Sequence, residues 1–142
     1  MPKNTDPAQA APVAGTIQND SRLFAGAGAI AAFAAQRAGF SEKMQQDASA
    51  AAVEACRETF LAMGDAGGAP ATSLSLEFRV AGFADRIEMT IESSGGAPQS
   101  AKYQEELSRR LESALAARVQ CETRDGRLHL SLVKPFGAGA KA

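Results

Sequence analysis

The chain has 142 residues, of which 45% are hydrophobic, and a formal net charge of −1. This is the size of one domain with material for one core. Its 15 Lys and Arg and 16 Asp and Glu are scattered without a basic run, so the footprint of a nucleic-acid binder is excluded and an anionic membrane is an unsuitable partner.

Residues 1–15 hold three prolines and little apolar bulk, and such a segment cannot offset its own ordering entropy, so a flexible N-terminal tail is expected. It carries no charged stretch leading into an apolar run, and no later segment is long and apolar enough to span a bilayer. A cytoplasmic protein is therefore expected. Thr16 to Gln18 offers the start of a first short strand, the alternative being a tail that leads directly into the helix. Asn19, Asp20 and Ser21 supply capping oxygens for a helix over 22–38. In that helix Leu23, Ala27, Ile30, Ala31 and Ala34 recur at three- and four-residue spacing. The sequence Gly26-Ala27-Gly28-Ala29 lacks the strand before it and the Lys-Ser/Thr after it that a phosphate-binding loop needs, so close helix packing is its reading.

Gly39 suits the left-handed position after a helix, and Phe40 closes that turn. Ser41 caps a second helix over 41–63, with Glu42 in its first turn. Val53, Cys56, Phe60 and Met63 form its buried stripe, and Glu54 and Glu58 stand one turn apart on an adjacent face. A loop over 64–73 is followed by two alternating strands, 74–81 and 87–92, joined as a hairpin. Ser93 to Pro98 reads as a loop. A third helix over 99–118 buries Tyr103, Leu107, Leu111, Ala114 and Leu115, with Glu105–Arg109 and Glu106–Arg110 as pairs on its wet face. Val119, Cys121 and Thr123 lead through Asp125-Gly126, a hairpin signal, into Leu128, Leu130 and Leu132. Pro135 ends that strand, and 137–142 is a second tail.

Together these elements predict one α+β domain over 16–136. It is a two-layer sandwich with about three helices on one face of a four- to five-stranded mixed or antiparallel sheet. Cys56 and Cys121 stand in no metal or redox motif and read as buried free thiols, with a disulfide as the minor alternative. His129, the only histidine, falls on the outward phase of the last strand and reads as a surface residue. No catalytic set assembles from residue types alone.

The order of these elements, with Val53-Glu54-Ala55-Cys56-Arg57-Glu58 on the second helix, Ser93-Ser94-Gly95 after the first hairpin and Leu132-Val133-Lys134-Pro135-Phe136 at the close, resembles the GHKL-type ATPase domain. The small version in bacterial anti-sigma factors, the serine kinases of partner-switching systems, is the most similar. The resemblance implies a histidine-kinase-like ATPase fold over 16–136. The family's second helix carries a catalytic glutamate followed four residues later by an asparagine that holds magnesium. Glu54 matches the first, while Glu58 stands in place of the second. The family's adenine-reading aspartate and its following glycine fall on Ser93 and Gly95, so the glycine matches and the aspartate does not. The glycine-rich lid has no counterpart, since no glycine occurs between Pro98 and Leu107.

A kept fold with a degenerate nucleotide site implies a regulatory protein that acts by binding a sigma factor or an antagonist-like regulator, with homodimerisation, no cofactor and no catalysis. The alternative is a divergent ATP-dependent serine/threonine kinase, with Glu54 as base and Glu58 as ligand to magnesium on ATP. A second alternative is a small cytoplasmic chaperone or adaptor.

Overall fold

The computed structural model describes residues 12–18, 20–65, 75–96, 101–115, 117–125 and 127–135. The first strand, β1 (Val13–Gln18), takes in the last three residues of the expected tail. It belongs to the sheet because Ile17 is buried and every residue from Val13 to Gln18 has a partner on the second strand. Residues 1–11 of the expected N-terminal tail, residue 136 and the expected C-terminal tail over 137–142 lie outside the described residues.

Asp20 accepts a hydrogen bond from the Arg22 backbone N–H at 3.0 Å, capping a single 3-10 turn (Ser21–Leu23) that leads into α1 (Phe24–Arg37). Hydrogen bonds from Arg22 also hold the exposed Asp20 carboxyl down at about 2. Gly39 ends α1 in the left-handed region at φ 89°, and the Phe40 N–H donates to the Ala35 carbonyl at 3.0 Å. Phe40 is itself buried, so the turn is closed as its residues predict. The Ser41 hydroxyl then faces the Met44 N–H at 3.4 Å and starts α2 (Glu42–Asp65). α2 thus runs two residues past the expected end; the rest of the expected loop, 66–73, lies outside the described residues, as does Leu74.

β2 (Ser75–Gly82) and β3 (Arg86–Gly96) form the predicted hairpin. α3 (Ala101–Leu115) is followed by β4 (Arg118–Arg124) and β5 (Arg127–Pro135). The third helix stops three residues before its expected end, because Arg118 already pairs with Val133 in the sheet. Asp125, at φ 53°, turns the second hairpin. All pairings are antiparallel, in the order β1-β2-β3-β5-β4.

The alternation of the strands decides the layering. Leu76, Phe78, Val80, Ile87, Met89, Ile91, Leu128, Leu130 and Leu132 point to one face and are buried there beneath the helices. The other face carries Glu77, Arg79, Glu88, Thr90, Glu92, His129, Arg118 and Glu122, a polar surface for water. Alanine dominates the helical side of the core: Ala27, Ala31, Ala35, Ala48, Ala52 and Ala55 are fully buried or nearly so. Small side chains let α1 and α2 lie close. A Cβ on Gly28 would come within 2.5 Å of Ser49 Oγ and 3.1 Å of a Val53 methyl. The result is a two-layer α+β sandwich with three helices on a five-stranded antiparallel sheet. Among the described residues, no helix is long and apolar enough to cross a membrane.

Candidate functional site

β3 was expected to break at Ser93. Instead it continues to Gly96 through an irregularity. Glu92 pairs with His129 and Gly96 with Arg127, so β3 advances further than β5 between these points. Such a bulge leaves backbone donors without ladder partners. Ser93 supplies one: its Oγ accepts from the Leu128 N–H at 2.9 Å, and the residue is 1% exposed. The serine therefore completes the sheet at a place where a buried, unpaired amide would cost about 1–3 kcal/mol. Gly95 lies in the same irregular stretch, where the backbone must bend.

α2 carries Glu54 and Glu58 one turn apart, as the periodicity of a helix requires. They do not face each other as an unrelieved like-charge pair, since each finds its own cation. Glu54 forms an ion pair with Arg57 on the same helix. Glu58 reaches across to α3, where its Oε1 lies 3.5 Å from Arg110 Nη1. The Glu58 side chain is only 17% exposed, and its Oε1 accepts no hydrogen bond from a described residue. The arginine's charge, itself half in water, offsets part of the hydration this carboxylate has lost. Arg110 was expected to pair with Glu106 along its own helix. The half-buried Glu58 takes it instead, because a desolvated carboxylate gains more from a cation than an exposed one does.

Between α2, the end of α3 and β5 runs a groove of about 500 Å³ lined by Asp47, Ala50, Ala51, Glu54, Ala114, Leu115 and Lys134. Ala114 was expected in the buried stripe. It is exposed at this groove, while Leu107, Leu111 and Leu115 are buried as predicted. The side chains of Met63 and Tyr103 lie outside the described residues. Lys134 Nζ donates to the Leu115 carbonyl at 2.6 Å, satisfying one of the acceptors a helix leaves open at its C-terminus.

The structure thus brings Glu58 to Arg110 and sets Glu54 at the rim of a groove. Ser93 is fixed in the sheet, beneath the surface. Its lone hydroxyl already accepts a hydrogen bond, and it cannot accept like a free carboxylate facing a base edge. A polyphosphate near α2 would meet the carboxylates of Glu54 and Glu58 before any cation neutralised it. Sequence reasoning missed Arg110 as the partner of Glu58 and Leu128 as the partner of Ser93. Both are tertiary contacts, and the helix spacing of Glu106 and Arg110 pointed elsewhere.

His129 sits on the outer face as expected. Its Nδ1 is 3.7 Å from Glu92 Oε2, beside a shallow depression of about 370 Å³. Both cysteines are free. Cys56 is buried as predicted, and burial pushes its thiol up to about 12. Cys121 is half-buried rather than buried, and its thiol is raised to about 11, mainly by desolvation. Neither is a ready nucleophile. Among the described residues no group of three or more His, Cys, Asp and Glu is placed to hold a metal ion. Comparison with models of known protein families and with curated protein sequences returns no match.

Proposed function

We propose that this chain is a regulatory protein-binding module resembling the GHKL-type ATPase domains of anti-sigma factors, with its nucleotide site converted to internal structure. The order strand, two helices, hairpin, helix, hairpin supports the resemblance. The observation that carries the loss of nucleotide binding is Ser93. At the position where the family reads adenine, the side chain is buried and bonded to the Leu128 amide. Glu58, at the position of the magnesium-holding asparagine, is engaged by Arg110.

On this reading the protein holds a sigma factor or an antagonist-like regulator through its surface, and neither ATP nor magnesium takes part. Catalysis is absent, and Glu54 is a surface residue paired with Arg57. The test is binding of purified sigma factors from the same genome, measured by biolayer interferometry with and without magnesium-ATP. Equal affinity in both conditions is expected. Binding that requires ATP, or phosphate transferred to a serine of an antagonist, would replace this reading with a divergent serine/threonine kinase that uses Glu54 as base and Glu58 as magnesium ligand. The accessible position of Glu54 beside the groove favours that second reading.

A further inference from the structure

The outer face of the sheet, turned away from the helices, distributes its charges unevenly. On β3, β4 and β5 they answer one another. Arg86 meets Glu88 at 2.7 Å, Arg124 meets Glu122 at 2.6 Å, and Arg127 stands 3.8 Å from Glu92. On β2 they do not. Glu77 and Arg79 are both exposed on this face, and neither makes an ion pair or a side-chain hydrogen bond with a described residue. Their spacing along the strand is that of Glu122 and Arg124, which do pair.

The neighbouring strands leave the two side chains open as well. Arg79 lies opposite Ala14 on β1 and Thr90 on β3, neither of which carries a charge. Glu77 lies opposite Thr16 and Glu92. Carboxylates directly opposite each other on paired strands destabilise a sheet, so the fold gains nothing from this row.

A depression of about 370 Å³ lies over these positions, at the small end of the size range of ligand sites. Its cause is side-chain length. Ala14, Gly15 and Thr16 of β1 form a low floor, while Glu77, Arg79, Glu92 and His129 stand beside it. Acid and base are separated within it. Glu77 and Glu92 share one cross-strand row, and Arg79 stands in the next row on this face, about 7 Å along β2.

We propose that this depression binds a free basic α-amino acid. Two carboxylates and one guanidinium complement a ligand with two cations and one carboxylate. Arg79 takes the α-carboxylate, since its planar fork donates two parallel hydrogen bonds to such a group, and the Thr90 hydroxyl opposite it offers a further donor. Glu77 takes the α-ammonium, with the Thr16 hydroxyl beside it. The side-chain cation meets Glu92, whose contact with Arg127 is a loose one. A diamine leaves Arg79 unanswered and a neutral amino acid leaves Glu92 so, and selectivity follows from these unmet charges. The site is open to water and the ligand small, so a dissociation constant on the order of 1 mM is expected. The inference rests on the outer face alone. α2 and α3 lie on the other side of the sheet, so it holds whichever reading of their surfaces is correct.

The test is a titration of the full chain with L-lysine and L-arginine, followed by amide NMR to roughly 10 mM ligand. Saturable shifts are expected at Thr16, Glu77, Arg79 and Thr90. Cadaverine and agmatine lack the carboxylate, and norleucine lacks the side-chain cation. Each should bind at least about tenfold more weakly than the amino acid it resembles. Glu77→Gln and Arg79→Gln each alter an exposed side chain without an internal partner, so each should keep the wild-type spectrum elsewhere while weakening binding at least about tenfold. Absence of saturable shifts with both amino acids would overturn the proposal. So would amines or norleucine that bind as tightly, or variants that bind as the wild type does.

Discussion

α2 meets its two helical neighbours in opposite ways. Against α1 it is close and apolar: Gly28 leaves no room for a side chain beside Ser49 and Val53, and Phe60 stacks on Phe24 with ring centroids 5.6 Å apart. Against α3 it offers a carboxylate, Glu58, to Arg110 at 3.5 Å, and beyond Glu54 a groove remains. The first seam is closed by shape. The second is held partly by charge and leaves space, as a binding cleft requires.

The largest expected effect lies in the closed seam. Phe60→Ala removes a nearly buried ring and should lower unfolding free energy in urea by about 3–5 kcal/mol. A loss below about 1 kcal/mol would mean that the seam is looser than described. Gly28→Val forces methyl groups into Ser49 and Val53 and should cost about 1–3 kcal/mol by the same measurement, since overpacking a filled seam displaces both helices.

Ser93→Ala separates structure from chemistry at the sheet bulge. It leaves the Leu128 N–H without its side-chain acceptor and should cost about 1–2 kcal/mol. Hydrogen exchange at Leu128 should quicken with it, whereas an unchanged exchange rate would deny the serine its structural role. The smallest effect belongs to the open seam. Arg110→Ala should cost no more than about 1 kcal/mol, because the arginine side chain is 48% exposed and its contact with Glu58 is a loose one. A cost several times larger would show that charge holds α3 as firmly as shape holds α1.

Local chemistry made most of the fold legible. The Asp20 and Ser41 caps, the Gly39 turn, the alternation of β2 and the Asp125 turn are each decided by residues within a few positions of one another. The errors arose where a distant partner overrides the local signal. Ser93 to Gly96 reads as a loop because serine and glycine favour turns, yet pairing with Arg127 and the Ser93–Leu128 bond keep it in the sheet. Arg118 reads as the end of a helix until its pairing with Val133 claims it. The candidate site was legible as positions, Glu54, Glu58, Ser93 and Gly95, but not as contacts. Arg110 and Leu128 are far from their partners in sequence, and no spacing announces them.

The central claim is that the positions a nucleotide would need are consumed by internal bonds. Isothermal titration calorimetry of the full chain with magnesium-ATP and magnesium-ADP, with Glu58→Ala as control, tests it most directly. The account predicts no saturable heat up to millimolar nucleotide for either protein. Saturable binding by the wild type that disappears in Glu58→Ala would contradict it and show that Glu58 holds the metal.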